Sequence, residues 1–163
     1  MAAARKTPAA KNTEPHELNL ETKVTLRSIA DWNTGFSRKS DGVGDVMIAP
    51  KGTVRLSRNE IISQVQSGNK LISGIDGLGN HATLIIEDDD TRKEVGFENQ
   101  VVFSDNLVKK VFNIDKQEQF EEEFQKSFVT RAEKFAVMDA IGRLGINNYK
   151  KIRFAESYTG INV

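Results

Sequence analysis

The stretch Asp115-Lys-Gln-Glu-Gln-Phe120-Glu-Glu-Glu-Phe124-Gln-Lys-Ser-Phe128-Val-Thr-Arg-Ala132-Glu-Lys-Phe135-Ala136-Val-Met-Asp-Ala-Ile141 is where the chain changes its period. Phe120, Phe124 and Phe128 recur every fourth residue, and Ala132, Phe135, Ala136 and Ile141 continue the apolar stripe, which is helical spacing. Asp115 followed three residues later by Glu118 is a helix-start signature. Neither Gly nor Pro interrupts Lys116–Ile141, so the spacing predicts one helix of about 25–28 residues, roughly 40 Å long. A rod of that length outruns a small domain, so part of it must project or bend. An aromatic face that projects needs a partner, and an identical helix is the simplest one. Gly142 and Gly145 mark the end of the helix, and residues 146–163 read as an extended basic tail.

Upstream, Glu21–Phe103 carries β signals. Val24 and Leu26 alternate with Lys23, Thr25 and Arg27. Asp45–Ala49, the turn Pro50-Lys51-Gly52 and Thr53–Leu56 read as a strand pair. Ser57-Arg58-Asn59-Glu60 is a capping box that opens a helix of about ten residues carrying Ile61, Ile62 and Val65, with Gly68 as its left-handed stop. Lys70–Ser73, Ala82–Glu87, Arg92–Glu98 and Gln100–Ser104 read as further short strands. The expectation is an α+β protein: a small β-barrel or β-sandwich with one embedded helix, then a long helix and an extended tail. The implied divisions are a basic arm at 1–20, the β domain at 21–104, a helical segment at 105–145 and the tail at 146–163.

Composition narrows the chemistry. The 163 residues include no cysteine, which removes disulfides, thiolate metal ligands and thiol nucleophiles. No apolar run reaches the ~18–20 residues of a membrane span, and the opening residues lack the apolar core of a secretory signal. A soluble chain without a membrane partner is expected. Lys and Arg total 23 against 23 Asp and Glu, but the zero is a cancellation. Arg5, Lys6 and Lys11 make residues 1–13 basic with no acid. Arg143, Lys150, Lys151 and Arg153 outweigh Glu156 at the other end, and Glu87–Asp90 and Glu121–Glu123 are acidic. Termini of one sign suit docking on a neighbour of the other.

No motif singles out an active site. Gly74, Gly77 and Gly79 lack the phosphate-loop order and no helix follows them, so they read as a hairpin loop. Glu87–Asp90 lacks EF-hand spacing and reads as a solvated acidic tip. His81 beside Asp76 and Ser73 is the one conceivable nucleophile–base set, and no nucleophile-elbow pattern supports it. His16 lies in the basic arm. The expectation is therefore a non-enzymatic protein with no cofactor and no metal. Tyr149, Lys150, Lys151, Arg153, Phe154 and Tyr158 interleave bases with aromatics, which fits either a tail packed on a neighbouring subunit or nucleic-acid contacts. The first reading is preferred because the middle of the chain is acidic.

The stretch Asp45-Val-Met-Ile-Ala-Pro-Lys-Gly-Thr-Val-Arg-Leu-Ser-Arg-Asn-Glu-Ile-Ile-Ser-Gln-Val-Gln-Ser-Gly-Asn-Lys-Leu71 resembles accessory structural proteins of tailed-bacteriophage virions, of the capsid decoration, cement or connector type. The likeness covers about residues 43–97 and carries over no functional residue. It implies a structural role in a phage particle, many copies on a symmetric lattice, and the major capsid protein or other virion subunits as partners. Under that reading the partner-binding groups are the helix face Phe120, Phe124, Phe128 and Phe135, together with the termini through Arg5, Lys6, Lys11, Tyr149, Lys150, Lys151, Arg153, Phe154 and Tyr158. The protein would be made in the host cytoplasm and end in the virion.

Overall fold

The computed structural model describes residues 17–163; Arg5, Lys6, Lys11 and His16 lie outside the described residues. The N-terminal half is built on two small antiparallel sheets. Strands β1 (Lys23–Ser28), β4 (Thr53–Ser57) and β5 (Leu84–Ile86) form one sheet in the order β4-β1-β5. Strands β2 (Thr34–Ser37) and β3 (Asp45–Ile48) form a separate two-stranded ribbon. The fold is α+β as expected, but there is no barrel among the described residues. The predicted 45–56 strand pair is also corrected. β3 pairs with β2, setting Phe36 opposite Val46, and β4 pairs with β1, setting Leu56 opposite Val24.

Three of the predicted strands are not strands. Lys70–Ser73 is a single helical turn, α2, because the Asn69 side chain accepts the Leu71 N–H at 3.2 Å and caps it. Arg92–Glu98 belongs largely to α3 (Asp89–Glu94) and the turn after it. Asp88 caps α3 by accepting the Thr91 N–H at 2.9 Å, with Asp89 and Asp90 in the first turn and Arg92 and Lys93 in the last, the charge order a helix dipole favours. Gln100–Ser104 forms no strand and leads to α4 (Asp105–Phe112), which Ser104 caps. The helix predicted after Ser57 is α1 (Arg58–Gln66), with Gly68 in the left-handed region at φ 78°.

The long helix is two helices, α5 (Gln117–Ser127) and α6 (Arg131–Arg143). Thr130 and Glu133 form a reciprocal capping box that starts α6, and residues 128–130 separate the two helices with a bend at Thr130. The tail is not extended either. It is α7 (Tyr149–Thr159), capped by Asn148 and stopped by Gly160 at φ 72°. Among the described residues there are seven helices.

Two cores meet at the larger sheet. One gathers Val24, Leu26, Val46, Ile48, Leu56, Ile61 and Phe97 beneath α1. The other gathers Ile29, Ile85, Phe103 and the apolar faces of α4–α7. β5 is buried on both faces: Leu84 and Ile86 join the first core and Ile85 joins the second. Period-two alternation therefore lets three residues fasten the sheet to both halves.

Candidate docking site

The best-organised surface feature is the seven-residue loop Arg38–Gly44 between β2 and β3. The Arg38 N–H donates to the Gly44 carbonyl at 2.9 Å and closes its neck. Beneath it, on the first turn of α1, Glu60 is fully buried. Its carboxylate accepts the backbone N–H groups of Lys39 at 2.7 Å, Ser40 at 2.6 Å and Asp41 at 2.7 Å, and the Gln64 side-chain amide at 2.7 Å. The Ser40 hydroxyl adds a fifth donor at 3.0 Å. Burial works against the charge on Glu60, but the bonds from Gln64, Ser40, Asp41 and Lys39 outweigh it and hold the carboxyl at about 2.

The predicted capping box is therefore half right. Ser57 Oγ accepts the Glu60 N–H at 3.1 Å, but the Glu60 carboxylate turns to the loop instead of reaching back. Asp41 takes that role, accepting the Ser57 N–H at 3.1 Å. The two carboxylates cross, one from helix to loop and one from loop to helix. With its oxygens saturated by donors, Glu60 is a fixed negative anchor and not a base.

At the tip stand Gly42, Val43 and Gly44. The two glycines hold φ at 91° and 115°, where a side chain would be strained. Val43 between them is fully exposed, at 101% of its reference surface. A buried charge with five donors thus holds out one apolar side chain with bare backbone on either side. On the same ribbon Met47 is 66% exposed.

The residues expected to meet partners are placed differently. Phe120, Phe124 and Phe128 are each 0% exposed. They form an aromatic cluster with Phe112, Phe154 and Tyr158: Phe124 lies 4.9 Å from Phe128 and 5.9 Å from both Phe154 and Tyr158, centroid to centroid. The cover expected from a second chain is supplied by α7 of the same chain. Phe135 is half-buried, edge-on to Trp32 at 5.8 Å, with the Arg131 guanidinium over both rings. Lys151 is buried and donates to the carbonyls of Phe112 and Ile114, both at 2.6 Å, where α4 ends. Of the C-terminal set only Tyr149, Lys150 and Arg153 remain on an exposed face.

The conceivable nucleophile set is not assembled. His81 Nδ1 lies 2.9 Å from both oxygens of Glu133. Asp76 accepts from Asn80 and the Leu78 N–H, and the Ser73 hydroxyl donates to the Asn69 carbonyl. Gly74–Asn80 is a loop, but it leads from α2 towards β5 and is not the expected hairpin loop. Among the described residues no group of three or more His, Asp or Glu is placed to hold a metal ion.

Two clefts share Arg27 of β1 in their lining. One, about 450 Å³, is lined by Ile29, Phe103 and Ala136 and by a chain of ion pairs. Lys51 meets Asp31 at 3.2 Å and Asp139 at 2.9 Å, and Arg143 grips Asp105 with two bonds of 2.7 and 2.8 Å. The Asp139 bond raises the Lys51 pKa, while Lys51 lowers Asp139 and Arg143 lowers Asp105. The second, about 660 Å³, has Ile85, Ile86 and Val102 with Glu87, Asp88, Asp89 and Asp90 against Arg27 and Arg92. Burial opposes the charge of Asp88, but the Thr91 hydroxyl and N–H, with Arg58, keep it below the usual carboxylate range.

Gly42 and Gly44 beside Asp41 are the sequence signal that could have found the loop; nothing local marks Glu60 as its anchor. No helix of the described residues is long and apolar enough to cross a membrane. Comparison with protein-family models, with curated proteins and with solved structures finds no match.

Proposed function

We propose that the protein is a non-enzymatic structural component of a phage particle that binds neighbouring subunits through preformed surface features. The observation that carries this reading is the clamped loop. Ordering a free loop on binding costs free energy at the moment of association, and here Glu60 and Asp41 have ordered it beforehand. The likeness of residues 43–97 to accessory virion proteins supplies the setting. The aromatic face of α5 no longer contributes, because the chain's own α7 covers it.

The test is mass spectrometry of purified particles together with a loop variant. The wild-type chain is expected in the particles at a fixed copy ratio. Val43→Asp is expected to be lost from them while its melting temperature stays unchanged. Absence of the wild-type chain from particles overturns the reading.

A second reading, nucleic-acid binding, rests on the outer face of α7, where the Arg153 guanidinium lies 5.4 Å from the Tyr149 ring and Lys150 is exposed. It requires binding to a single-stranded oligonucleotide that weakens steeply with salt and is lost in Lys150→Ala/Arg153→Ala. With Lys151 committed to α4, two cations are a small phosphate-binding set.

A further inference from the structure

The geometry points to a receptor for the Val43 loop on a second copy of this chain: the exposed apolar patch of Ile75, Leu78 and Val101, gathered around Asn80. The inference rests on the clamped loop of the proposed function and goes beyond it by naming the partner and the surface that meets it.

The patch is fixed as firmly as the loop. The Asn80 carbonyl accepts the Ile75 N–H at 3.3 Å, and the Asn80 side-chain oxygen accepts the Val101 N–H at 2.7 Å. The Asp76 carboxylate accepts the Leu78 N–H at 2.8 Å and the Asn80 side-chain amide at 2.7 Å. Gly79 lies against the Phe97 ring, and its carbonyl accepts the Gln100 side-chain amide at 3.0 Å. This backbone holds its apolar side chains outside: Ile75 and Leu78 are each 58% exposed and Val101 55%. None of the three belongs to either core. Exposed apolar residues scattered singly are ordinary, whereas three drawn together on a locked backbone mark a contact surface. Val43 and Met47 present a second such surface on the β2–β3 ribbon.

Charge selects the occupant. Beside the patch, Asp76 and Glu98 are exposed and have no ion pair among the described residues. Glu98 stands next to Phe97, the ring that Gly79 lies on. On the Val43 loop, the side chains of Arg38 and Lys39 have no ion pair among the described residues either. The loop's acids are turned to partners of their own, Asp41 to Ser57 and Asp45 to Ser37. An apolar tip with basic neighbours on one surface thus matches an apolar patch with acidic neighbours on the other. Neither loop can swing across to the other within one chain, because Glu60 holds the first and Asp76 and Asn80 hold the second. A second copy brings the two together. The contact is heterologous, loop to patch, and copies joined this way form a ring if the rotation closes and an open chain if it does not.

The chain contains no cysteine, so a disulfide can report this contact without background. Val43→Cys protein mixed with Leu78→Cys protein under mild oxidant is expected to give a disulfide-linked pair of unlike chains well above either like pair. Glu98→Lys in the patch partner should lower that yield by about fivefold, and Lys39→Glu in the loop partner should restore it. Circular dichroism of each variant checks that the fold is intact. A dominant Val43→Cys like pair would mean that loop meets loop, and a dominant Leu78→Cys like pair that patch meets patch. Monomers throughout would mean that the loop's receptor is another protein. Any of these results overturns the proposal. Presence in particles without the cross-link sinks only the self-pairing, whereas the cross-link without particle incorporation sinks only the virion reading.

Discussion

Thr130 and Glu133 cap each other: the Thr130 hydroxyl oxygen accepts the Glu133 N–H at 3.2 Å, and the Glu133 carboxylate accepts the Thr130 N–H at 3.1 Å. That exchange begins α6 where the Phe-bearing α5 has just ended, and the same carboxylate receives His81 from the loop before β5. One buried residue, 2% exposed, thus starts a helix and ties it to the β half.

Glu133→Ala should therefore cost more than an ordinary cap. A cap alone contributes about 1 kcal/mol, and the lost His81 contact adds to it, so about 2–3 kcal/mol is expected in urea unfolding. Thr130→Ala, which leaves Glu133 and His81 in place, should cost about 1 kcal/mol.

The loop clamp has a defined pH window. The Glu60 carboxyl is held at about 2, below its ordinary 4.5. A group lowered on folding contributes stability that is complete above the unfolded value and is lost as pH falls through the folded one. Amide protection factors of Lys39, Ser40 and Asp41 should hold at pH 5 and above and decline between about 4.5 and 2. Glu60→Gln removes the titrating group. Its protection at these three amides should be low already at neutral pH and flat across the window, with a stability loss of about 2–3 kcal/mol.

Lys151 and Lys51 make opposite predictions from the same residue type. Lys151→Met deprives the buried end of α4 of the donor shared by the Phe112 and Ile114 carbonyls, at an expected cost of about 2–3 kcal/mol. Lys51→Met breaks two ion pairs whose side chains are 37–46% exposed, and should cost at most about 1 kcal/mol. Thermal denaturation of the two variants separates these outcomes.

Phe124→Ala opens the aromatic cluster at its centre, where the ring touches Phe112, Phe120, Phe128, Phe154 and Tyr158. A loss of about 3–5 kcal/mol is expected, enough to unfold a marginal domain. Tyr149→Ala, at 71% exposure, should stay within about 0.5 kcal/mol.

The N-terminal elements β1, β3, β4 and α1 were legible because their patterns are local: alternation at Val24 and Leu26, the Ser57 cap, the Gly68 stop. Thr130-Arg-Ala-Glu133, Asp88-Asp-Asp-Thr91, Asn69 and Asn148 are all caps written in the sequence. An apolar period runs straight through the Thr130 cap, Asp88-Asp89-Asp90 reads equally as a turn, and residues 146–163 show no helical pattern to set beside Asn148. A continuous stripe of Phe120, Phe124 and Phe128 is compatible with a straight rod or with one that ends at Phe128. Spacing cannot distinguish them, whereas a reciprocal cap does.

What the sequence determined by itself is the class and the material: an α+β chain without cysteine chemistry, a capped α1, and enough aromatic surface on one stripe to require a cover. Only the tertiary structure decided who supplies that cover and which residues remain outside. The reason is that burial is a property of pairs. Phe124 is apolar in any context, but whether it meets solvent, a neighbour or Phe154 depends on where α7 returns, 30 residues later. The same holds for Glu60, which a local pattern assigns to its own helix cap and the fold assigns to the amides of a loop 20 residues away.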